Sequence, residues 1–544
     1  MNNFCVIILA VKKNVAFADD LVKKLDGIPL VQRAIDKAKS VTESSHIFVV
    51  TDSEEISTIS DRSGVNCYYD KLLKLDSQSL LNCLNVFLLQ VSATYESTIL
   101  LSAYTPLVAA DDIINGYAKF VESGCDALVT IKQEAIQMYR ARGVNLFKFI
   151  LHFNKEPVFV ESRAFFIIKS RYILDFNGHD ITVYPYVLKD NGIEITNYTD
   201  WWICEKLLRR RRIVFRVIGD TAVGMGHIFR ALTLAHEITD HEIVFVCDER
   251  SSIATNTIAG YDYLVKTFPE EEIVDQIIDL QPDMVINDIL STDAAYIRRL
   301  RERGIKVVNF EDLGSGSMLS DLTINELYDK PNSSTKPVRW GHNYYFVRDE
   351  FATAKAHKFS KDVTGLLITF GGTDQNNYTL SSLRAILDIC KNANIKLYVV
   401  VGGGYQHAPA LQEFIRQADY TNIEYTSATG AISKIMEKTQ IAITSNGRTV
   451  FELAHMHVPS LVIAQHSREA THSFACHNHG FINLGLYETG TTERMLTEAL
   501  SRLVHDSDYR KELFDNIKRF NFSQNKQKVV KLILGLLEKA KSDA

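Results

Sequence analysis

The chain has 544 residues, of which 46% are hydrophobic and 23% charged. At roughly 100–200 residues per domain this length predicts about three globular units, with apolar material for several cores. The net charge of −6 gives no global attraction to nucleic acid or to an anionic membrane, so neither is expected as a partner recognised by bulk charge.

The chain opens Met-Asn-Asn-Phe and runs directly into an apolar stretch, without the basic start, apolar run and small-residue cleavage site of a signal peptide. No apolar run reaches the roughly 18–20 residues of a membrane span. Eight cysteines, at positions 5, 67, 83, 125, 204, 247, 390 and 476, form no CxxC pair, a pattern that suits reduced thiols. Together these features predict a cytoplasmic protein without membrane insertion.

Along the chain, short apolar runs alternate with amphipathic stretches. Strands are predicted at 4–11, 46–51, 98–102 and 127–131, with helices at 29–41 and 110–123 between them. The alternation restarts at 213–217 and continues through 242–247, 284–289 and 306–310. A third series runs through 365–370, 396–401, 441–444 and 460–464, and a helical pattern follows at 526–540. Such alternation marks α/β units built on parallel sheets. The predicted domains are 1–210, 211–355 and 356–544. The basic run Arg209–Arg212 reads as a solvated helix end or linker, and 352–362 reads as a second linker. The tract from His472 through Cys476 and His477 to His479 has metal-ligand side chains but no second cluster of suitable spacing. It therefore reads as surface or helix-end histidines, and no metal site is predicted.

The strand at 213–217 is followed by Gly224-Met225-Gly226-His227, with a helical pattern beyond. Glycines after a strand let the backbone turn tightly and approach a ligand. His227 would stand at a helix N-terminus, where the macrodipole disfavours imidazolium. A neutral imidazole is what a general base needs. In the third series, Gly371-Gly372-Thr373-Asp374 follows a strand and is expected to open a helix whose free N–H groups face a phosphate. Gly402-Gly403-Gly404 follows the next strand. Ser445-Asn446-Gly447-Arg448-Thr449 then runs from a strand into a helix. Its N–H and hydroxyl groups can hold a diphosphate, and the Glu452 carboxylate can accept from ribose hydroxyls. Glycine-bearing turns at the ends of neighbouring strands favour a ligand crevice.

Residues 213 to about 500 resemble the UDP-2,4-diacetamido-2,4,6-trideoxy-altropyranose hydrolases of pseudaminic acid synthesis, which are similar to spore-coat polysaccharide proteins and to MurG-type glycosyltransferases of the GT-B fold. The resemblance rests on Phe215-Arg216, Gly224-x-Gly226-His227-x-x-Arg230, Asn309-Phe310-Glu311-Asp312, Val347-Arg348-x-Glu350-Phe351, Gly371-Gly372-Thr373-Asp374 and Glu452-Leu453-Ala454. It implies two Rossmann-like domains with a UDP-sugar between them, and His227 activating a water at the anomeric carbon as UDP leaves, with neither metal nor cofactor. It also implies that Gly224, Gly226, Arg230, Gly371, Gly372, Thr373, Asp374, Ser445, Asn446, Gly447, Thr449 and Glu452 contact the UDP-sugar. Two segments depart from the family pattern. Asn287-Asp288-Ile289-Leu290 stands where the family has Asp-x-Tyr, so Asp288, taken as a second catalytic residue, has no tyrosine after it. Gln465-His466-Ser467-Arg468-Glu469 stands where the family has Asn-Gln.

Residues 1 to about 208 resemble the CMP-sialic acid synthetase family, a nucleotidyltransferase (GT-A-like) fold. Ile7 to Val15 occupies the place of the family's Pro-Ala-Arg-Gly-Gly-Ser-Lys strand and loop. Gly27-Ile28-Pro29-Leu30 matches its Gly-x-Pro-Leu turn. Leu101 to Val108 corresponds to Leu-Gln-Pro-Thr-Ser-Pro-Leu-Arg. Val11 and Val108 stand in place of arginines, Lys12 and Lys13 in place of glycines, Val15 in place of a lysine, and Glu194-Ile195-Thr196 in place of a metal-binding Asp-Ile-Asp. Nucleotidyl transfer needs cations on the triphosphate and a carboxylate-held Mg²⁺, so the domain is expected to be inactive and kept for folding, dimerisation or pathway association. The whole chain is expected to be a nucleotide-sugar hydrolase of nonulosonic acid synthesis. A glycosyltransferase using a UDP-sugar donor and a non-catalytic nucleotide-sugar-binding scaffold are the alternatives.

Overall fold

The computed structural model describes residues 3–11, 17–73, 77–134, 139–142, 145–148, 158–174, 180–188, 191–220, 224–331, 337–427 and 429–538. The chain is α/β throughout and divides into two compact units, Met1–Arg210 and Arg211–Ala544.

In the first unit the strands are β1 (Phe4–Leu9), a short hairpin of β2 (Lys24–Leu25) and β3 (Ile28–Pro29), β4 (Ile47–Thr51), β5 (Asn66–Tyr69), β6 (Ser97–Ser102), β7 (Ala127–Glu134), a second hairpin of β8 (Tyr139–Arg142) and β9 (Asn145–Lys148), β10 (Val158–Lys169) and β11 (Val183–Leu188). Seven of them form one sheet in the order β11-β7-β10-β6-β1-β4-β5. The sheet is mixed, because β10 runs antiparallel to both β6 and β7. The all-parallel arrangement expected from the sequence therefore fails at this strand. Val11 and Val108 are each 2% exposed and pack into apolar cores of the unit. Lys12, Lys13 and Val15 lie outside the described residues.

The second unit holds two sheets. The first of these, order β14-β13-β12-β15-β16-β17-β18, comprises β12 (Arg212–Val217), β13 (Glu242–Asp248), β14 (Val265–Phe268), β15 (Met284–Asp288), β16 (Lys306–Phe310), β17 (Leu322–Asn325) and β18 (Val338–Trp340). The other, order β21-β20-β19-β22-β23-β24, comprises β19 (Gly365–Thr369), β20 (Lys396–Val401), β21 (Ile423–Ser427), β22 (Ile441–Ser445), β23 (Ser460–Ala464) and β24 (Phe481–Leu486). All pairings in both sheets are parallel. The central strands read as unbroken apolar runs because helices cover both faces. β15, β19, β22 and β23 are buried at every residue.

Each sheet of this unit has the doubly wound order, in which the chain moves outward one way from its first strand and then returns to the other side. Ligands of such sheets bind beyond the carboxyl ends of the strands at that switch point. Here the switch points lie between β12 and β15 in the first lobe and between β19 and β22 in the second. The helix Asn525–Glu538 follows all the strands of the second lobe, yet its Val529 and Ile533 are buried in the core of the first. In the run Arg209–Arg212, Arg209 pairs with Asp26 and Glu205, Arg211 with Asp283 and Arg212 with Glu242. Three of the four residues are thus ion-paired rather than simply solvated.

Candidate active site

In the first lobe the loop after β12 carries Gly224, at a φ of +86° that favours glycine, and leads into the helix Gly226–Glu237. His227 is therefore the second residue of that helix. Three neighbouring parallel strands each place a carboxylate at or just beyond their carboxyl ends. Asp288 closes β15, Glu311 follows β16 and Glu326 follows β17. All are nearly inaccessible, at 1%, 6% and 1% exposure.

His227 Nδ1 lies 2.5 Å from Asp288 Oδ1. Burial alone would raise the Asp288 pKa, but the Arg230 guanidinium and His227 outweigh it and hold the group below its ordinary value. Asp288 is then a carboxylate and can only accept. The proton of the pair therefore sits on Nδ1, which leaves Nε2 as the ring nitrogen that Asp288 does not engage. Arg230 Nη2 also approaches Nδ1, at 3.3 Å. The much shorter Asp288 contact decides the tautomer.

Arg230, expected among the sugar-binding residues, instead lies inside the protein at 1% exposure. Its Nε donates to Asp288 Oδ2 at 2.7 Å and its Nη1 to Glu326 Oε1 at 2.5 Å, with further pairs to Glu311 and to Asp288 Oδ1. A guanidinium whose forked donors are already filled by three carboxylates has little left for a ligand. Glu311 is likewise subject to burial that would raise its pKa, but Arg230 and its other cationic neighbours bring it well below the usual carboxylate range.

In the second lobe Gly371, at φ +80°, turns the chain after β19. Gly402 packs so closely on this turn that a Cβ there would come within 2.3 Å of the Gly372 carbonyl oxygen. The next helix starts at Tyr378, later than the sequence predicts. Two of the N–H groups at its start are already engaged, because the two carboxylate oxygens of Asp374 accept from the N–H groups of Tyr378 and Thr379, both at 2.8 Å. Asp374 thus serves the helix terminus.

Ser445, Asn446, Gly447 and Thr449 lie where β22 passes into the helix Thr449–His455. The Asn446 side chain is buried and donates to the carbonyls of Glu469 and His472 at 2.8 and 3.0 Å. Glu452 lies in that helix, and its carboxylate accepts from Arg348 Nε at 2.8 Å. His472, read as a surface or helix-end histidine, follows the helix Ser467–Ala470 and is 8% exposed, with Nδ1 2.6 Å from the Asn446 carbonyl and its ring edge-on to Tyr328. Its imidazole helps to fix the loop.

The two glycine-bearing loops meet. A Cβ on Gly372 would lie 3.4 Å from Met225, and one on Gly226 would lie 3.3 Å from Arg448 Cδ. Arg448 crosses from the second lobe to Glu326 Oε1 at 2.6 Å, and Arg468 Nη2 donates to the Glu311 carbonyl at 2.6 Å. The structure therefore gathers His227, Asp288, Gly224, Gly226, Gly371 and Gly372 at the facing switch points. Sequence reading missed Glu326, and it quoted Arg448 and Glu311 only as parts of motifs.

The first unit has a polar cavity of about 250 Å³ lined by Lys132, Glu161, Ser162, Gly192, Ile193, Glu194, Thr196 and Asp200. Burial, with Glu161 and Asp200 adding to it, raises the Glu194 pKa against the pull of Arg163 and Lys132. Thr196 donates to Asp200 through both its N–H and its hydroxyl, at 2.8 and 2.6 Å.

A comparison with protein-family models finds no match. The chain is 25% identical over 266 residues to an uncharacterised protein of Methanocaldococcus jannaschii, covering 45% of this chain and 54% of that one. It is 25% identical over 296 residues to the spore coat polysaccharide biosynthesis protein SpsG of Bacillus subtilis, 52% of this chain and 85% of that one. To the UDP-2,4-diacetamido-2,4,6-trideoxy-beta-L-altropyranose hydrolase of Campylobacter jejuni it is 26% identical over 178 residues, 31% of this chain and 63% of that one. The match thus spans about half the length of the first relative and under two thirds of the hydrolase. Among solved structures, Acinetobacter baumannii MurG aligns with 60% of this chain and 99% of its own at 14% identity (TM-score 0.45). A CMP:2-keto-3-deoxy-manno-octonic acid synthetase complexed with CTP aligns with 38% of this chain and 98% of its own at 9% identity (TM-score 0.31). The chain is similar, at low identity, to a polysaccharide-biosynthesis protein and to a UDP-sugar hydrolase.

Proposed function

We propose that the second unit is a nucleotide-sugar hydrolase that cleaves a UDP-sugar with His227 as general base, and that 211–355 and 356–544 are its two domains. The observation that carries this reading is the His227–Asp288 pair at the β12/β15 switch point. Asp288 holds the Nδ1 proton, so Nε2 is the atom that takes a proton from water. The water oxygen bonds to the anomeric carbon as the carbon–oxygen bond to the diphosphate breaks. UDP leaves with the bonding electrons, and the new imidazolium is stabilised by the Asp288 carboxylate.

On the second lobe, the N–H groups from Ser445 to Thr449 and the hydroxyls of Ser445 and Thr449 would hold the diphosphate, with Gly371, Gly372 and Thr373 forming the opposite wall. Oriented donors of this kind stabilise the charge that develops on the leaving group. Glu452 would accept from the ribose once its carboxylate is shared with, or released by, Arg348. The similarity to a UDP-sugar hydrolase supports the substrate class, and the similarity to SpsG supports a place in surface polysaccharide synthesis.

The first unit is proposed as a cytidylyltransferase-like domain without transferase activity, available for self-association. The deciding experiment is a screen of purified full chain against UDP-, GDP- and CMP-sugars, read by nucleotide release without acceptor. Release of UDP supports hydrolysis. Release only on adding an acceptor would instead support glycosyl transfer, for which the same dyad would deprotonate an acceptor hydroxyl. Nucleotide binding without any turnover would leave a scaffold.

A further inference from the structure

We propose that Arg448 is a positioning residue that couples the Ser445–Thr449 loop of the second lobe to the His227–Asp288 dyad of the first. The inference rests on reading that dyad as the proton acceptor. A continuous line of charged contacts joins the two places. Arg448 Nη1 donates to Glu326 Oε1 at 2.6 Å, and the same oxygen accepts from Arg230 Nη1 at 2.5 Å. Arg230 Nε then donates to Asp288 Oδ2 at 2.7 Å, and Asp288 Oδ1 meets His227 Nδ1 at 2.5 Å. Glu326 is therefore a single acceptor shared by two arginines of different lobes. Its second oxygen, Oε2, is buried and has no hydrogen-bond partner among the described residues, and both arginine contacts of that carboxylate fall on Oε1.

Arg448 is itself held firmly. Its guanidinium lies 4.7 Å over the Tyr345 ring, and the Tyr345 hydroxyl donates to the Arg448 carbonyl at 3.1 Å. Its stem lies against Gly226, the residue before His227, where an added Cβ would come within 3.3 Å of Arg448 Cδ. Because Arg448 is also the residue preceding the helix Thr449–His455, a shift of this loop around a diphosphate moves the guanidinium that Glu326 depends on.

The electrostatics give that movement a consequence. Two guanidiniums, Arg230 and Arg448, face three carboxylates, Asp288, Glu311 and Glu326. The cluster carries one excess negative charge, so the balance among its members depends on both guanidiniums. Withdrawing Arg448 leaves Glu326 wholly on Arg230 Nη1, which Glu311 also shares, and draws toward those two carboxylates the guanidinium whose Nε and Nη2 serve Asp288, in a site of low effective dielectric. Asp288 then loses the fixed geometry on which the imidazole depends. A direct role for Arg448 on the diphosphate fits less well, because its Nη1 is committed to Glu326 at 2.6 Å and also faces Glu311 at 3.6 Å, while Nη2 reaches the Phe346 carbonyl at 3.5 Å.

The test compares R448M, R448K, E326Q and R448M/E326Q in the full chain by steady-state UDP release and by calorimetry with UDP. R448M is expected to lower kcat by about 10²-fold, the usual scale for a small misplacement of a reacting group, with KM and UDP affinity unchanged. R448K should recover part of kcat. The double variant should be less impaired than R448M, because the harm comes from the unpaired Glu326 charge; such non-additivity is the signature of direct coupling. Loss of UDP affinity with kcat unchanged would make Arg448 a phosphate ligand and overturn the proposal, as would strictly additive effects. Should R448M not fold, R448K and the double variant carry the comparison. The coupling is also readable without turnover. UDP should shift the imidazole ¹⁵N resonances of His227 in the wild type and leave them unmoved in R448M. A wild type that releases no nucleotide while R448M abolishes that shift would sink the hydrolase reading and keep the coupling. Equal shifts in both would sink the coupling alone.

Discussion

His227 and Asp288 are 61 positions apart in sequence, yet Nδ1 of one stands 2.5 Å from Oδ1 of the other. Parallel pairing of β12 with β15 sets Val217 beside Asp288, and the helix beginning at Gly226 brings His227 back over the end of β15.

Replacing His227 by Asn should leave the fold and UDP binding intact, because the proposed nucleotide contacts lie on the second lobe. Turnover should fall by about 10²–10⁴-fold, the ordinary worth of general-base catalysis. Thermal melting, UDP calorimetry and nucleotide release on this one variant check all three points. A folded variant with near wild-type release would remove His227 from the mechanism.

Arg230→Met is a stability prediction. It leaves Asp288, Glu311 and Glu326 buried without their shared cation. Removing one member of a buried ionic cluster costs about 3–5 kcal/mol. Denaturant unfolding should show a loss of this size, and a change near zero would mean that water reaches the cluster.

Glu452→Ala separates two uses of one carboxylate. If it accepts from the ribose, UDP binding should weaken by about 1.5–3 kcal/mol, the range for a hydrogen bond to a charged group. If it serves only Arg348, which it meets at 2.8 Å, the variant should lose stability while binding UDP as before. Calorimetry and melting on the same sample distinguish the two.

Acid should destabilise the second unit through its histidines. Burial lowers the pKa values of His342, His357, His455, His457 and His479 from the ordinary 6.5. Below 6.5 the unfolded chain takes up protons that the folded one resists. Stability is therefore complete above that pH and is lost as the pH falls through 6.5 toward the lower folded-state values. Denaturant midpoints measured from pH 7.5 to pH 5 should decline across that window; a flat profile would contradict the assignment.

The first unit should not transfer CMP from CTP to sialic, legionaminic or pseudaminic acid in the presence of Mg²⁺. Val11 and Val108 are core residues at 2% exposure, and neither can meet a triphosphate. Pyrophosphate release that depends on both substrates would refute this.

Much of the second unit was legible in its sequence because strands such as Ile441–Ser445 and Ser460–Ala464 are buried on both faces and read as apolar runs. Strands with half-exposed residues, such as Val265–Phe268 and Ile423–Ser427, carry mixed patterns and were missed. So was Val158–Lys169, whose antiparallel course makes the first sheet mixed. At the site, glycines before His227 marked the loop. Nothing local marked Glu326, because its meaning lies in its neighbours: acidic residues ending three successive parallel strands. That repetition is a signal a sequence reading could use. Arg230 was misread because position alone cannot tell a ligand-facing guanidinium from one enclosed by carboxylates.

The helix Asn525–Glu538 is the last-made element of the core it completes. Val529 and Ile533, both at 0% exposure, complete a core that otherwise draws on residues from Ile213 to Phe346. At a synthesis rate of about 5–20 residues per second, the ribosome needs roughly 10–40 s to travel from that stretch to the helix. For that interval the part of the chain that bears His227 lacks the apolar side chains of Val529 and Ile533 that its finished core contains. The core beneath the His227–Asp288 pair is therefore complete only once the chain has been made through Ile533.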